Sequence, residues 1–163
     1  MEIIEYNDKY IEDVKDLLVE LQRYHISLDK DKLERLHPDF RETMADLVLE
    51  DVRNNNGKCF LALQNDKAVG LIMGYIHPYD RYDYLDYKCP VRGSITDFII
   101  SEKVRGKGLG NKLIKTMENY FKEVGCEYIM VDVFGYNEPG NEYYEKLGYR
   151  TRIMKKIKKI DDD

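Results

Sequence analysis

Arg105-Gly106-Lys107-Gly108-Leu109-Gly110 constrains this chain more than any other stretch. It follows an apolar, strand-like run, Ile95-Thr96-Asp97-Phe98-Ile99-Ile100. It opens a run in which Leu109, Leu113, Ile114, Met117, Tyr120, Phe121 and Val124 recur at helical spacing. Glycines in such a strand-to-helix turn let the backbone approach a ligand and adopt angles that other residues resist. The first N–H groups of a helix have no intrahelical partner and carry partial positive charge. Together they form a cradle for phosphate oxygens. The plain alternative is a turn that binds nothing. Three glycines alternating with two cations argue against it.

Spacing excludes two phosphate loops. The nucleoside-triphosphate loop needs Lys-Ser or Lys-Thr after its last glycine, and here Gly110 precedes Asn111-Lys112. The dinucleotide fingerprint G-x-G-x-x-G is also missing, because the spacing from Gly106 is G-x-G-x-G. What fits is Arg/Gln-x-x-Gly-x-Gly, carried by Arg105, Gly108 and Gly110 with Gly106 as an extra glycine. A second motif follows: Asn137-Glu138-Pro139-Gly140-Asn141-Glu142-Tyr143-Tyr144-Glu145-Lys146-Leu147-Gly148-Tyr149. The two motifs, in this order, resemble the GNAT superfamily of acetyl-CoA-dependent N-acetyltransferases from about Ile95 to Tyr149. The chain departs from the family pattern at Gly140, where Ala is usual, at Tyr149, where Phe is usual, and at Glu102, where Pro is frequent.

The resemblance implies an α/β fold: a central mixed, mostly antiparallel sheet flanked by helices in a single domain. That domain would span residues 1–160, with a variable acceptor-side half (1–94), acetyl-CoA motifs (95–149) and a frayed acidic tail (161–163). The residue pattern gives a compatible order. Glu2 to Tyr6 reads as a strand, and Asn7 or Asp8 can cap a helix with Tyr10, Ile11, Val14, Leu17, Leu18, Leu21 and Tyr24 on one face. A polar connection, Asp29 to Asp39, leads to a second helix with Phe40, Met44, Leu47, Val48 and Val52 inward. Cys59–Leu63 and Ala68–Ile76 read as strands around the turn Gln64-Asn65-Asp66-Lys67. Residues 77–92 read as a loop, Tyr128 to Val133 as a strand, Pro139 to Gly148 as a short helix, and Tyr149 to Ile157 as a last strand.

The chain has 163 residues, a size at which one core is stable without disulfides. Cys59, Cys89 and Cys126 are odd in number and widely spaced, and they read as reduced thiols of a cytoplasmic protein. Neither they nor His25, His37 and His77 have metal-ligand spacing, so no metal is expected. A formal charge of −5 argues against a nucleic-acid partner. No signal sequence is visible at the start, and no apolar run reaches the roughly 20 residues that span a bilayer, so no membrane partner is expected.

The chemistry that the resemblance implies is direct attack of a primary amine on acetyl-CoA. An amine with a pKa near 10.4 is almost wholly protonated at pH 7, and freeing it costs roughly 4–5 kcal/mol. A base must take that proton, an N–H donor must hold the oxyanion, and an acid must protonate the departing thiolate. By resemblance, backbone groups of Phe98, Ile99 and Ile100 serve the oxyanion and the pantetheine arm. The pyrophosphate rests on Arg105, Gly106, Lys107, Gly108, Leu109 and Gly110, and Asn137 contacts the co-substrate. Tyr144, seven residues after Asn137, is the candidate acid, with Tyr143 beside it as a packing residue. A turn or helix cap is the alternative for Asn137.

Many family members carry a Glu at the start of the strand before the loop; here Ser94 and Thr96 stand there, and Asp97 is the strand's carboxylate. Thr96-Asp97-Phe98 resembles the diamine and polyamine acetyltransferases. Asp97 is therefore the candidate base or base anchor, the alternative being structural hydrogen bonds. In residues 77–88, Asp80, Asp83 and Asp86 alternate with Tyr79, Tyr82, Tyr84 and Tyr87. Carboxylates beside aromatic faces suit an organic cation, which makes Asp80 and Asp83 candidate acceptor-binding residues. The same loop suits sheet cover or subunit association, so a homodimer stays open. The expected function is acetylation of a small cationic amine. A peptide N-terminus or lysine as acceptor, and a non-catalytic acyl-CoA-binding module, remain as alternatives.

Overall fold

Five strands form one sheet in the order β1-β2-β3-β4-β5, with Glu2–Glu5, Lys58–Gln64, Lys67–Ile76, Arg92–Ile100 and Tyr128–Val131 as β1 to β5. The first four are antiparallel neighbours, and β4 and β5 are parallel. This is the mixed, mostly antiparallel sheet expected. The computed structural model describes residues 2–160, and the expected tail 161–163 lies outside them. The chain divides into two units, one through residue 132 and one from residue 133 onward.

In the first unit, α1 (Ile11–Leu28) and α2 (Phe40–Asn54) cover one face of the sheet. Val14, Leu17, Leu18 and Leu21 of α1 and Ala45, Leu49 and Val52 of α2 meet Cys59, Leu61, Leu63, Leu71, Met73 and Ile99 there. Helix α4 (Leu109–Glu123) covers the other face with Leu109, Leu113, Ile114, Met117 and Phe121. Small residues bring this helix close: a Cβ on Gly93 would lie 2.5 Å from the Phe121 ring. The β2–β3 turn is the expected one. Asn65 and Asp66 both have positive φ (52° and 59°), which matches the twist of a two-residue hairpin.

Several expectations need correction. Leu47 is 51 % exposed because it lies about half a turn away from the Ala45–Leu49–Val52 stripe. Val124 is 43 % exposed, since α4 ends one residue before it. The 77–92 loop contains a short helix, α3 (Asp83–Asp86). Strand β5 stops at Val131, not Val133. Residues 149–160 contain no strand, and Ile153, Met154, Ile157 and Ile160 are exposed. Their apolar positions do not alternate with period two, so no face of a strand would be consistently apolar. No helix among the described residues is long and apolar enough to cross a membrane.

Candidate active site

The turn after β4 is shaped by two positive-φ glycines, Gly106 (79°) and Gly108 (72°). Gly108 is the N-cap of α4, and no side chain caps that helix end. The helix ladder opens with the Lys112 N–H donating to the Gly108 carbonyl at 3.3 Å. The amides of Leu109 and Gly110, which precede it, have no carbonyl one turn back to bond. Among the described residues, nothing beyond the glycines' chain neighbours and the adjacent helix backbone lies within 4 Å of a Cβ built on Gly106 or Gly108. Packing therefore does not require these glycines; the backbone conformation does, and it leaves open space in front of the turn. These features fit an anionic group such as a pyrophosphate.

Arg105 is used differently. Its Nε donates to the Ile100 carbonyl at 3.0 Å, its Nη1 lies 3.6 Å from the Glu102 carboxylate, and its guanidinium sits over the Tyr24 ring at 5.8 Å. Its own N–H reaches the Glu102 carbonyl at 3.4 Å, within the 3-10 turn Glu102–Val104. Glu20 of α1 accepts the Glu102 N–H at 2.9 Å. Arg105 and Glu20 thus pin the turn to β4 and α1, while residues 106–110 form the open part.

Strand β4 carries a bulge. Asp97 pairs with Met73, and Ile95 pairs with Gly74, so Thr96 has no register partner on β3, and its hydroxyl donates to the Met73 carbonyl at 3.5 Å. A one-residue insertion reverses which face the following side chains occupy. Ile95 belongs with Gly74 on the α4 side, whereas Asp97 and Ile99 fall with Met73 on the α1–α2 side. The parallel pairing of β4 with β5 runs from Arg92↔Tyr128 to Ile95↔Val131 and stops at the same place. Beyond it, no strand among the described residues pairs with the β5-side edge of β4. The backbone of Phe98, Ile99 and Ile100 lies along that edge.

Asp97 is half-buried and lines a small cavity of about 80 Å³ with Leu18, Leu21, Gln22, His25, Phe40 and Met44. Burial pushes its carboxyl above the usual carboxylate range, against the pull of the Thr96 side chain and of His25. His25 is pushed the opposite way by burial, with Glu34 and Asp97 partly restoring its proton affinity. Gln22 Nε2 donates to Glu34 Oε2 at 3.0 Å and to the Arg35 carbonyl at 2.9 Å.

In the 77–92 loop the carboxylates serve the backbone. Asp80 Oδ1 accepts the N–H groups of Tyr82 (2.7 Å) and Asp83 (3.0 Å), and Asp83 Oδ2 accepts the Asp80 N–H (2.9 Å). This reciprocal capping builds α3. Tyr79 is the packing centre, with His77, Tyr84 and Tyr87 rings 5.1, 6.2 and 5.9 Å away and its hydroxyl donating to the Pro90 carbonyl at 2.7 Å.

In the second unit, α5 (Glu138–Lys146) starts at Asn137, whose Oδ1 accepts the Gly140 N–H at 3.0 Å. A Cβ on Gly140 would come within 2.3 Å of Asn137 Nδ2, so Gly140 makes room for this cap where Ala is usual. Tyr144 is half-buried edge-on to Tyr143 and Tyr149, at 5.5 and 5.4 Å. Burial, with Tyr143 adding, pushes its pKa well above the ordinary tyrosine value, so it stays a neutral donor.

His25, Gln22, Glu34, Glu20 and Tyr24 are absent from the residues that sequence motifs pick out. The signal for His25 is periodicity: it lies four residues after Leu21 and seven after Leu18, on the buried face of α1. Glu34 comes from a connection with no motif. Among the described residues, no group of three His, Cys, Asp or Glu side chains could hold a metal ion.

Solved structures share this fold. A mutant of the BH1408 protein from Bacillus halodurans superimposes with a TM-score of 0.84 at 17 % identity, covering 98 % of this chain and 99 % of that one. An aminoglycoside N-acetyltransferase, AAC(6')-Iy in complex with CoA, gives 0.68 at 15 % identity over 98 % of this chain and 100 % of that one. In sequence, an uncharacterized N-acetyltransferase of Methanocaldococcus jannaschii, MJ1530, is 32 % identical over 97 residues. That match covers 59 % of this chain and spans only 55 % of the relative's length. The acetyltransferase (GNAT) family model matches residues 16–149, most of the chain. The chain belongs to the acetyltransferase (GNAT) family.

Proposed function

We propose that this protein transfers an acetyl group from acetyl-CoA to the primary amine of a small organic cation. The observation that carries this reading is the Thr96 bulge. It turns the Asp97 carboxyl toward the α1–α2 cavity and coincides with the end of the β4–β5 pairing, shortly before the glycine turn. Residues 95–149 would hold acetyl-CoA, and the elements before them would hold the acceptor.

Acetyl-CoA supplies the activated carbonyl. The amides of Gly106 to Gly110 would take its pyrophosphate, and the edge of Phe98–Ile100 would take the pantetheine arm and the oxyanion. Asp97 receives a proton from the acceptor ammonium. Its raised proton affinity favours that transfer over an ordinary carboxylate. Tyr144 donates to the sulfur as the carbon–sulfur bond breaks. Its raised pKa keeps the hydroxyl protonated until the step, although it makes the transfer to a thiolate more uphill than from an ordinary tyrosine.

The cavity beside Asp97 favours a slender acceptor. About 80 Å³ is room for two or three water-sized groups at about 30 Å³ each. Leu18, Leu21, Phe40 and Met44 suit methylenes, and Asp97 suits the ammonium. The test is a panel of polyamines, amino sugars and lysine or N-terminal peptides, assayed with acetyl-CoA by thiol release. Turnover should be highest with linear alkyl amines. Preference for peptides would favour a protein acceptor. CoA binding without turnover on any amine would favour a non-catalytic acyl-CoA-binding module.

A further inference from the structure

His25 is the polar side chain that α1 contributes to the Asp97 cavity together with Gln22. Asp97 faces it from β4, and Glu34 faces it from the connection between α1 and α2, where Gln22 holds its carboxylate. On its own helix the Tyr24 ring lies 6.4 Å away. The α2 residues lining the cavity, Phe40 and Met44, carry no charge. The imidazole thus has carboxylates of two different elements within electrostatic reach, Asp97 across the shared cavity and Glu34 from the connection.

Resting on the acetyl-transfer reading, we propose that His25 is the second station of a proton relay. One ring nitrogen accepts the proton that Asp97 takes from the acceptor ammonium, and the other passes a proton toward Glu34 and solvent. The steps balance. An ammonium N–H bond breaks as an O–H bond forms on Asp97; that O–H breaks as an N–H forms on His25. The amine nitrogen then bonds the acetyl carbon and the carbon–sulfur bond breaks. Tyr144 gives its proton to sulfur and regains one from the acylated nitrogen. The net proton released leaves through His25.

The relay is energetically reasonable because burial moves the two groups toward each other. The acid's proton affinity is raised and the imidazole's is lowered, so the gap between them is narrower than between an ordinary carboxylate and an ordinary imidazole. A neutral imidazole is also the form that can accept a proton at neutral pH.

Two measurements test it. In the first, kcat is followed against pH for the wild type, His25→Gln and His25→Ala. Both variants should lose at least about tenfold in kcat with unchanged CoA affinity. Free imidazole should restore the His25→Ala rate saturably, in proportion to its neutral fraction. A wild-type rate in His25→Ala, or a loss that imidazole does not rescue with an unchanged pH profile, would overturn the relay. In the second, nitrogen NMR of the imidazoles follows the His25 titration in wild type and Asp97→Asn. The midpoint should fall when the carboxylate is removed, and an unmoved midpoint overturns the relay without any assay of turnover. A wild type that acetylates no amine defeats the acetyl-transfer reading itself, which this NMR result distinguishes from failure of the relay alone.

Discussion

Ile95 and Val131 form the last register pair between β4 and β5, and the next residue of β4, Thr96, has no register partner on β3. The inserted residue turns Asp97 from the α4 face to the α1–α2 face, and it coincides with the end of the β4–β5 ladder at Ile95. A regular β4 would place Asp97 on the face of Ile95, which packs with Gly74 beneath α4. An ionisable group is thereby set beside the stretch of β4 that has no β5 partner, shortly before the chain enters the glycine turn.

That turn gives the first prediction. Gly108→Val should weaken CoA binding at least about tenfold by calorimetry. It places a β-branched residue at φ 72°, a conformation that costs an L-residue about 1–2 kcal/mol. Gly108→Asn separates strain from obstruction, because Asn tolerates the left-handed region and still puts a Cβ into the open space. Both variants should lose affinity, and Val alone should lose appreciable stability. Undiminished CoA binding by a folded Gly108→Val protein would remove the pyrophosphate from this turn.

Asp97 gives a prediction on stability against pH. Burial raises its carboxyl pKa in the folded state above the unfolded value near 3.9. The native protein then holds more protons than the unfolded chain between those two values, so stability falls as pH rises through that window and stays lower above it. Asp97→Asn removes the effect. The variant should be inactive yet melt higher than wild type at pH 7, by about 2–4 °C for each kcal/mol recovered. The gain should vanish near pH 4. A lower melting temperature for Asp97→Asn at pH 7 would mean that the carboxylate is paired and stabilising.

The bulge had no local signal. Thr96 is a β-branched residue in an apolar strand, and its displacement appears only against Met73 and Gly74, over 20 residues away. Elements whose reasons are local were legible: the α1 stripe, the Asn65-Asp66 turn and the glycine turn before α4 follow from residues within a few positions of each other. The expected strand over 149–157 fails for the opposite reason. A strand exists only with a partner, and four exposed apolar residues among lysines do not specify one. Helix α3 was hidden because Asp80 and Asp83 look like ligand-binding charges until their oxygens are found on backbone N–H groups. The co-substrate motifs were legible as motifs, whereas Asp97 and Glu34 come near His25 only through the tertiary fold.

The loop carboxylates carry a prediction with two readouts. If Asp80 and Asp83 attract the acceptor, replacing both with Asn should raise KM for a polyamine, and added salt should raise the wild-type KM by screening. Their capping bonds predict a local effect as well: faster amide exchange across Tyr82 to Tyr87. Affinity for acetyl-CoA should change little. Faster exchange with an unchanged, salt-insensitive KM would leave the two aspartates a structural role only.

Tyr144 gives the last prediction. Tyr144→Phe keeps the ring that packs edge-on between Tyr143 and Tyr149 and removes only the hydroxyl. The fold and CoA affinity should therefore be preserved. General acid catalysis contributes about 10²–10⁴-fold, so kcat should fall at least about tenfold where proton transfer to sulfur limits turnover. Because burial holds the wild-type hydroxyl protonated well beyond the ordinary tyrosine range, its ionisation should not cut activity below pH 10. An acyl donor whose leaving thiol is more acidic needs less help from a proton donor, so it should lose less in the variant. A Tyr144→Phe enzyme that turns over at the wild-type rate on its best amine, with both donors alike, would return Tyr144 to a packing role.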